Sequence, residues 1–323
     1  MKILRIILCI AMIGFLVLTP KTLIKGAQTS YVDQRFVRDT DRYTGSIMLY
    51  HIVRHRPYAG SLTQWLKTRA AAYEKKHKGV YIEIEGMDEQ RFEEHLNNGQ
   101  RPDAYSFFSG TMYPDQLKTI ENLNFPYLEG IVQTNRCLPY CFSGYLKLIK
   151  TPEEAEETFY FANEILAARA RQTHKTDTEE RADVLYLDFR RAGDLLRYKD
   201  GFALSVFEPI DNFTDAVCWM GIDRETDDAK SAVILDFIGF LTDPDSQQTL
   251  NALGLLSVRS DVRNTPPEPS LKRVFRAYET VTTVDPFRWN LQYDSLREDA
   301  RKAINGDTDA HNRFTNRFRE CCS

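Results

Sequence analysis

The chain has no excess of charge of one sign: 42 Lys and Arg stand against 46 Asp and Glu, a net charge of −4 over 323 residues. That excludes a nucleic-acid binder working through bulk positive field. Glycine and proline are sparse, at 16 and 13 residues, which excludes a collagen-like or low-complexity chain. Cysteine is limited to six residues, Cys9, Cys137, Cys141, Cys218, Cys321 and Cys322. No His or Cys pair follows Cys137 and Cys141 at zinc-finger spacing, so no metal site is read from them. A disulfide is open to them outside the cytosol, but spacing does not give connectivity. There is no G-x-S-x-G elbow, no phosphate-binding G-x-x-x-x-G-K loop and no G-x-G-x-x-G turn. The common signatures of serine hydrolases, P-loop enzymes and dinucleotide enzymes are therefore missing. No internal repeat is visible, and no cofactor is expected.

Long apolar runs are missing too, with one exception. Lys2 and Arg5 precede an apolar stretch at 6–18, followed by Thr19, Pro20 and Lys21. A basic start and an apolar run, shorter than the ~20 residues a membrane-spanning helix needs, have the build of an export signal. Lys25 sits where a cleavage site ending at Ala27 wants a small residue, and no Cys follows the run to accept a lipid. Residues 1–27 are thus expected to be a signal peptide or an uncleaved anchor. The protein is expected outside the cell or at its surface. Residues 28–44 are polar and read as a linker.

What is present is a long alternation of strand and helix patterns, in a chain with 12% aromatic residues. Residues 46–53 (SIMLYHIV) read as a buried strand. Ser61 opens a helix to about 77 with Leu62, Trp65, Leu66 and Tyr73 at helical spacing. Residues 80–85 (VYIEIE) alternate as a strand, Asp88 caps a second helix, and 103–108 form a third strand. This order implies βαβ units and a parallel sheet. Beyond Tyr127, short strands broken by Pro139 and Gly144 suggest a crossing to a second lobe, near 133–140. A helix is expected at 151–172, strands at 182–187, 202–207 and 216–222, and a return crossing near 203–211. Helices are expected at 192–198, 227–241 and, in two pieces parted near Gly306, at 289–320.

Several stretches resemble a known family. "YEKKHKGVYIEIEG" (73–86) and "NNGQRPDAYSFFSG" (97–110) are similar to the opening of the extracellular solute-binding proteins of ABC importers, the sugar- and oligosaccharide-binding type. "DDAKSAVILDFIGFLTDPDSQQTLNALGLLSVRSDV" (227–262) resembles a later stretch of the same family, with Phe237, Phe240, Leu241, Pro244, Gln247, Gly254 and Arg259 at the matching places. "CLPYCFSGY" (137–145) is a weaker echo of its strand crossing. The resemblance implies an α/β fold, two-lobed and periplasmic-binding-protein-like, each lobe a mostly parallel sheet flanked by helices. Lobe 1 is expected at 45–130 with 205–262 returning to it, a reduced lobe 2 at 131–204, and carboxyl-terminal helices at 263–323. It further implies a monomer without enzymatic activity. Such a protein closes on a small ligand, a carbohydrate, and hands it to ABC permease subunits in the membrane. Three rival readings stay open: a sensory module for a membrane receptor, a cell-surface hydrolase, and a degenerate family member with a structural or adhesive role, which the small second lobe suggests.

Candidate ligand residues follow from position. Open α/β sheets bind ligands beyond the carboxyl ends of their strands. Arg54 and His55 lie just past the first strand and Ser109 just past the third. His51 and His55 have the outer spacing of a zinc helix motif, but its Glu is missing, and a strand end does not project them together. Trp219 with Asp215 near the return crossing offers an aromatic face and a polar neighbour, the combination that holds a sugar ring. Tyr140 and Tyr145 flank the first crossing and are candidates for the same cleft. For Trp219, Tyr140 and Tyr145 a place in the core is the alternative.

Overall fold

A computed structural model of the chain describes residues 43–120, 134–150, 159–160, 162–176, 183–199, 201–205, 207–208, 210–279 and 281–322. The apolar amino-terminal run, the linker up to position 42, Cys9 and the expected helix start at 151–154 lie outside the described residues. No helix among the described residues is long and apolar enough to cross a membrane.

The first sheet grows from strand β1 (Gly45–Ile52). β2 (Val80–Met87) alternates as its sequence does, with Val80, Ile82 and Ile84 buried and Tyr81 and Glu83 exposed. Helix α1 (Leu62–Lys76) joins the two. Ser61 accepts from the Gln64 amide at its start, and Lys75 and Lys76 favour the negative end of its dipole. Helix α2 (Glu89–Asn97), capped by Asp88, leads to β3 (Ala104–Phe108), buried along its whole length. β1 pairs in parallel with both β2 and β3. The sheet is completed by two later strands, β4 (Cys137–Phe142) and β11 (Val217–Ile222), in the order β2-β1-β3-β11-β4. β11 runs antiparallel to both its neighbours. All six of its residues are buried, as expected of a strand covered on both faces. Helix α5 (Asp228–Leu241) covers the sheet, and α6 (Pro244–Leu250) follows, each started by an aspartate that accepts a backbone N–H.

The second sheet is smaller, in the order β7-β5-β8. β5 (Tyr145–Ile149) lies antiparallel to β7 (Val184–Asp188) and to β8 (Ala203–Leu204). Within the two larger sheets the expected parallel character therefore holds for β2-β1-β3 alone. Helix α3 (Asn163–Thr176) and helix α4 (Phe189–Tyr198) flank this sheet. Two short pairs complete the strands: β6 (Phe159–Tyr160) with β9 (Phe207–Glu208), and β10 (Phe213–Thr214) with β12 (Thr282–Thr283). The strand at 159–160 falls inside the stretch expected to be one helix from 151 to 172, so the helix starts later, at Asn163. The carboxyl-terminal elements are α7 (Lys272–Ala277), α8 (Pro286–Ala303) and α9 (Thr308–Glu320); α8 packs on both α3 and α9.

The crossings between sheets lie later than the sequence suggests. β4 belongs to the first sheet, and Pro139 sits beside a bulge opposite Trp219 on that edge strand, where its missing N–H is tolerated. The chain leaves only at Ser143-Gly144 and returns through Asp215-Ala216, between β10 and β11. At Gly144 the backbone runs so close to α3 that an added Cβ would lie 2.7 Å from the amide carbon of Asn163. β12 gives a third link, since the Val284 amide donates to the Thr214 carbonyl at 3.0 Å.

Candidate functional site

Four segments meet between the two sheets. The continuation of β1 delivers Arg54 and His55, that of β3 delivers Ser109, β5 opens with Tyr145, and α3 opens with Asn163 and Glu164. The first three residues lie beyond the carboxyl ends of parallel strands, the usual ligand position in open α/β sheets.

Arg54 ties these segments together. Its Nη1 donates to the Ser109 carbonyl at 2.8 Å and its Nη2 to Glu164 Oε1 at 2.7 Å. Nε stands 3.4 Å from Glu89 Oε1 on α2, and the guanidinium carbon is 4.6 Å from the ring centre of Tyr293 on α8. The Arg54 side chain is 13% exposed and that of Glu164 only 4%. The second oxygen of Glu164, Oε2, is buried without a hydrogen-bond partner, and Arg171 Nη2 stands 3.9 Å from it. Tyr293 reaches this place because residue 110 is glycine: φ there is +88°, and an added Cβ would sit 2.7 Å from the tyrosine ring.

His55 lies edge-on between Phe108, at 4.9 Å, and Tyr145, at 5.2 Å between ring centres. Burial, helped by the neighbouring Arg54 charge, pushes its imidazole well below the ordinary histidine range. Its Nδ1 has no hydrogen-bond partner. Asp215, on the return crossing, accepts from the Asn163 amide at 2.7 Å and from the Glu164 amide at 3.2 Å. It thus serves the free N–H groups at the start of α3. Burial raises its carboxyl to about 7, and the nearby Glu164 adds to the rise against the hydrogen bonds from Asn163. Asn163 Oδ1 in turn accepts from the Tyr145 amide at 2.7 Å, so the start of α3 is fastened to both crossings.

The seven sequence candidates are not all in one place. Arg54, His55, Ser109 and Tyr145 come together, and Asp215 stands behind them under α3. Trp219 and Tyr140 lie in the sheet interior with no exposed surface. Trp219 Nε1 donates to Ser109 Oγ at 2.9 Å, so it supports Ser109 from behind. Tyr140 shares its hydroxyl with Ser106 Oγ at 2.7 Å and stacks on Trp65 at 6.2 Å. The alternative reading, core aromatics, describes both. His51 also belongs to the interior: its Nδ1 is 2.8 Å from Ser106 Oγ. Among the described residues, no three His, Cys, Asp or Glu side chains gather as a metal-binding group. Sequence reasoning missed Glu164, Arg171 and Tyr293. They sit on helices where charged and aromatic residues are ordinary, and only tertiary packing brings them to Arg54.

The lobes touch elsewhere as well. Arg56, after β1, pairs with Asp188 at the end of β7, 2.9 Å apart. Arg190 on α4 donates to the Gly60 carbonyl, and an added Cβ on Gly193 of α4 would meet the Tyr58 ring. The β1–α1 loop therefore lies directly against the second lobe.

No family model matches the sequence, and no curated protein does. Solved structures do share its architecture. The sugar-binding protein MalE from Xanthomonas citri aligns with a TM-score of 0.55 at 9% identity, over 86% of this chain and 96% of its own. An extracellular solute-binding protein from Staphylococcus aureus, in complex with maltose, aligns at 0.51 and 10% identity, over 86% and 98%. Iron-bound HitA from Pseudomonas aeruginosa aligns at 0.52 and 12% identity, over 79% and 99%. One of these neighbours holds maltose and another iron in the same architecture, so the fold alone names no ligand. This chain has the two-lobed α/β fold of the extracellular solute-binding proteins.

Proposed function

We propose that the chain is an exported, monomeric solute-binding protein that closes its lobes on a small carbohydrate and presents the closed form to the permease subunits of an ABC importer. The observation that carries this reading is the Arg54–Glu164 pair, which joins the end of a lobe 1 strand to the start of a lobe 2 helix. Groups from both lobes meet there, so a molecule bound between them gains its full set of contacts only when the lobes are together. Its extra affinity for that state shifts the open–closed equilibrium. Tyr145 and Tyr293 supply apolar ring surface beside guanidinium and carboxylate groups, the mixture that suits the C–H faces and hydroxyls of a sugar. The ligand role falls to Arg54, His55, Ser109 and Tyr145 with Glu164. Asp215, Trp219 and Tyr140 hold the frame. The reading is of binding without turnover.

The test is a thermal-shift screen of the full chain against mono- and oligosaccharides, polyols, amino acids and phosphate esters, with product analysis of each mixture. A ligand at 100 times its dissociation constant adds ~2.7 kcal/mol of stability, which is readily seen. A saccharide that stabilises the protein and is recovered unchanged supports the proposal, and Arg54→Ala should remove that shift. Stabilisation by none of the saccharides, or their cleavage, contradicts it.

A further inference from the structure

The charge around the candidate site is unbalanced. Two guanidinium groups lie against the Tyr293 ring, with the carbon of Arg54 at 4.6 Å and that of Arg297 at 5.6 Å from its centre. Arg171, from α3, comes to 3.9 Å of Glu164 Oε2. Burial disfavours the Arg171 charge, Glu164 and Tyr145 support it, and Arg297 and Arg301 on α8 oppose it, with a net shift downward. Three arginines, Arg54 from the β1–α1 loop, Arg171 from α3 and Arg297 from α8, thus gather about Glu164 and the Tyr293 ring. The carboxylates beside Arg54 are Glu164, which it engages, and Glu89, whose side chain is 46% exposed and 3.4 Å from Arg54 Nε; Glu298 on α8 faces Arg301 and is paired with Lys302. Arg297 forms no ion pair with a carboxylate among the described residues; its partner there is the Tyr293 ring. Holding like charges together costs free energy that an anion would relieve, most where water is partly excluded.

From this cluster we infer that the ligand is a saccharide carrying an anionic group, a carboxylate or a phosphate, received by Arg171 and Arg297 beside the Arg54–Glu164 pair. The inference rests on the carbohydrate reading above and narrows it. A guanidinium presents planar paired donors that match either oxyanion, and it stays charged at any working pH. Glu164 Oε2 is the complementary element. It is a buried acceptor with no donor, placed to take a sugar hydroxyl while the arginines take the anion.

The experiment is calorimetric titration of the full chain with trigalacturonate, with its fully methyl-esterified form and with glucose 6-phosphate, at low and moderate salt. The ester keeps the skeleton and hydroxyls and removes the charge. The expected result is binding of trigalacturonate or glucose 6-phosphate about tenfold or more tighter than the ester, a 1.4 kcal/mol difference, with the preference shrinking as salt rises. Which of the two anions binds identifies the oxyanion. Arg297→Gln should narrow the ratio of anion to ester affinity. Equal or tighter binding of the ester, or a ratio untouched by Arg297→Gln, overturns the inference and leaves the carbohydrate reading standing. No binding of either anion, with a neutral saccharide stabilising the protein in the screen above, has the same meaning. If no saccharide binds at all, both readings fall.

Discussion

Replacing Asp215 by Asn should make the protein's stability less sensitive to pH, and the structure gives the size and sign. Asp215 is buried with its carboxylate under the start of α3, and burial lifts its carboxyl from 3.8 to about 7. The folded group therefore holds its proton more tightly than the unfolded one. Its contribution to stability is fully present below the unfolded value near 3.8 and is lost as pH rises through about 7. At ~1.36 kcal/mol per pK unit, that upward shift corresponds to roughly 4 kcal/mol across the window. Asparagine keeps one acceptor for the Asn163 amide but turns an NH2 toward the Glu164 amide. That lost bond costs about 1 kcal/mol and does not vary with pH. Urea unfolding of both proteins at about pH 4, 5.5 and 7.5 separates the two effects. The wild type should be the more stable at the acid end and fall steadily relative to Asp215→Asn toward neutrality. A stability difference that stays constant across the window would mean that the N–H groups of α3 hold the carboxylate ionised in spite of burial, and the reasoning would fail.

Three further outcomes follow from the same geometry. Gly144→Ala should cost about 1–3 kcal/mol by forcing a methyl into the Asn163 amide at the first crossing, measured by chemical unfolding. The His55 imidazole should take up a proton only at a pH well below that of an exposed histidine, because burial and the Arg54 charge disfavour its cation, so in an NMR titration toward acid its ring resonances should move after those of an exposed histidine. Trp219→Ala should destabilise the fold by ~3–5 kcal/mol as a buried large-to-small change, whereas Trp219→Phe should cost far less, the loss of one hydrogen bond to Ser109. A folded Trp219→Ala protein of unchanged melting temperature would contradict the core placement.

Much of the first lobe is written locally. The run SIMLYHIV, the Ser61 and Asp88 caps and the alternation of VYIEIE each report a structure decided by neighbours a few residues away, and β1, α1, β2 and α2 stand where those signals fall. Arg54, His55 and Ser109 were legible as strand-end residues for the same reason. Glu164 was not, because its partner is 110 positions distant and nothing in its own helix marks it. Trp219 and Tyr140 show a different limit. A strand pattern reveals apolar character but not whether a second layer covers each face, and here β11 is covered on both. The sense of pairing in the second sheet was equally hidden, since a short strand carries no mark of its neighbour's direction. The late crossing at Ser143-Gly144 has a similar cause: Pro139 reads as a break, yet an edge strand beside a bulge accommodates it.

The central claim is that two lobes close on a saccharide. Small-angle X-ray scattering of the full chain, recorded alone and with a saturating amount of the saccharide that stabilises it most, tests this directly. The account predicts a smaller radius of gyration with the saccharide present, and no such change for Arg54→Ala under the same conditions. Superimposable profiles for the wild type with and without saturating saccharide would describe a rigid body and contradict closure.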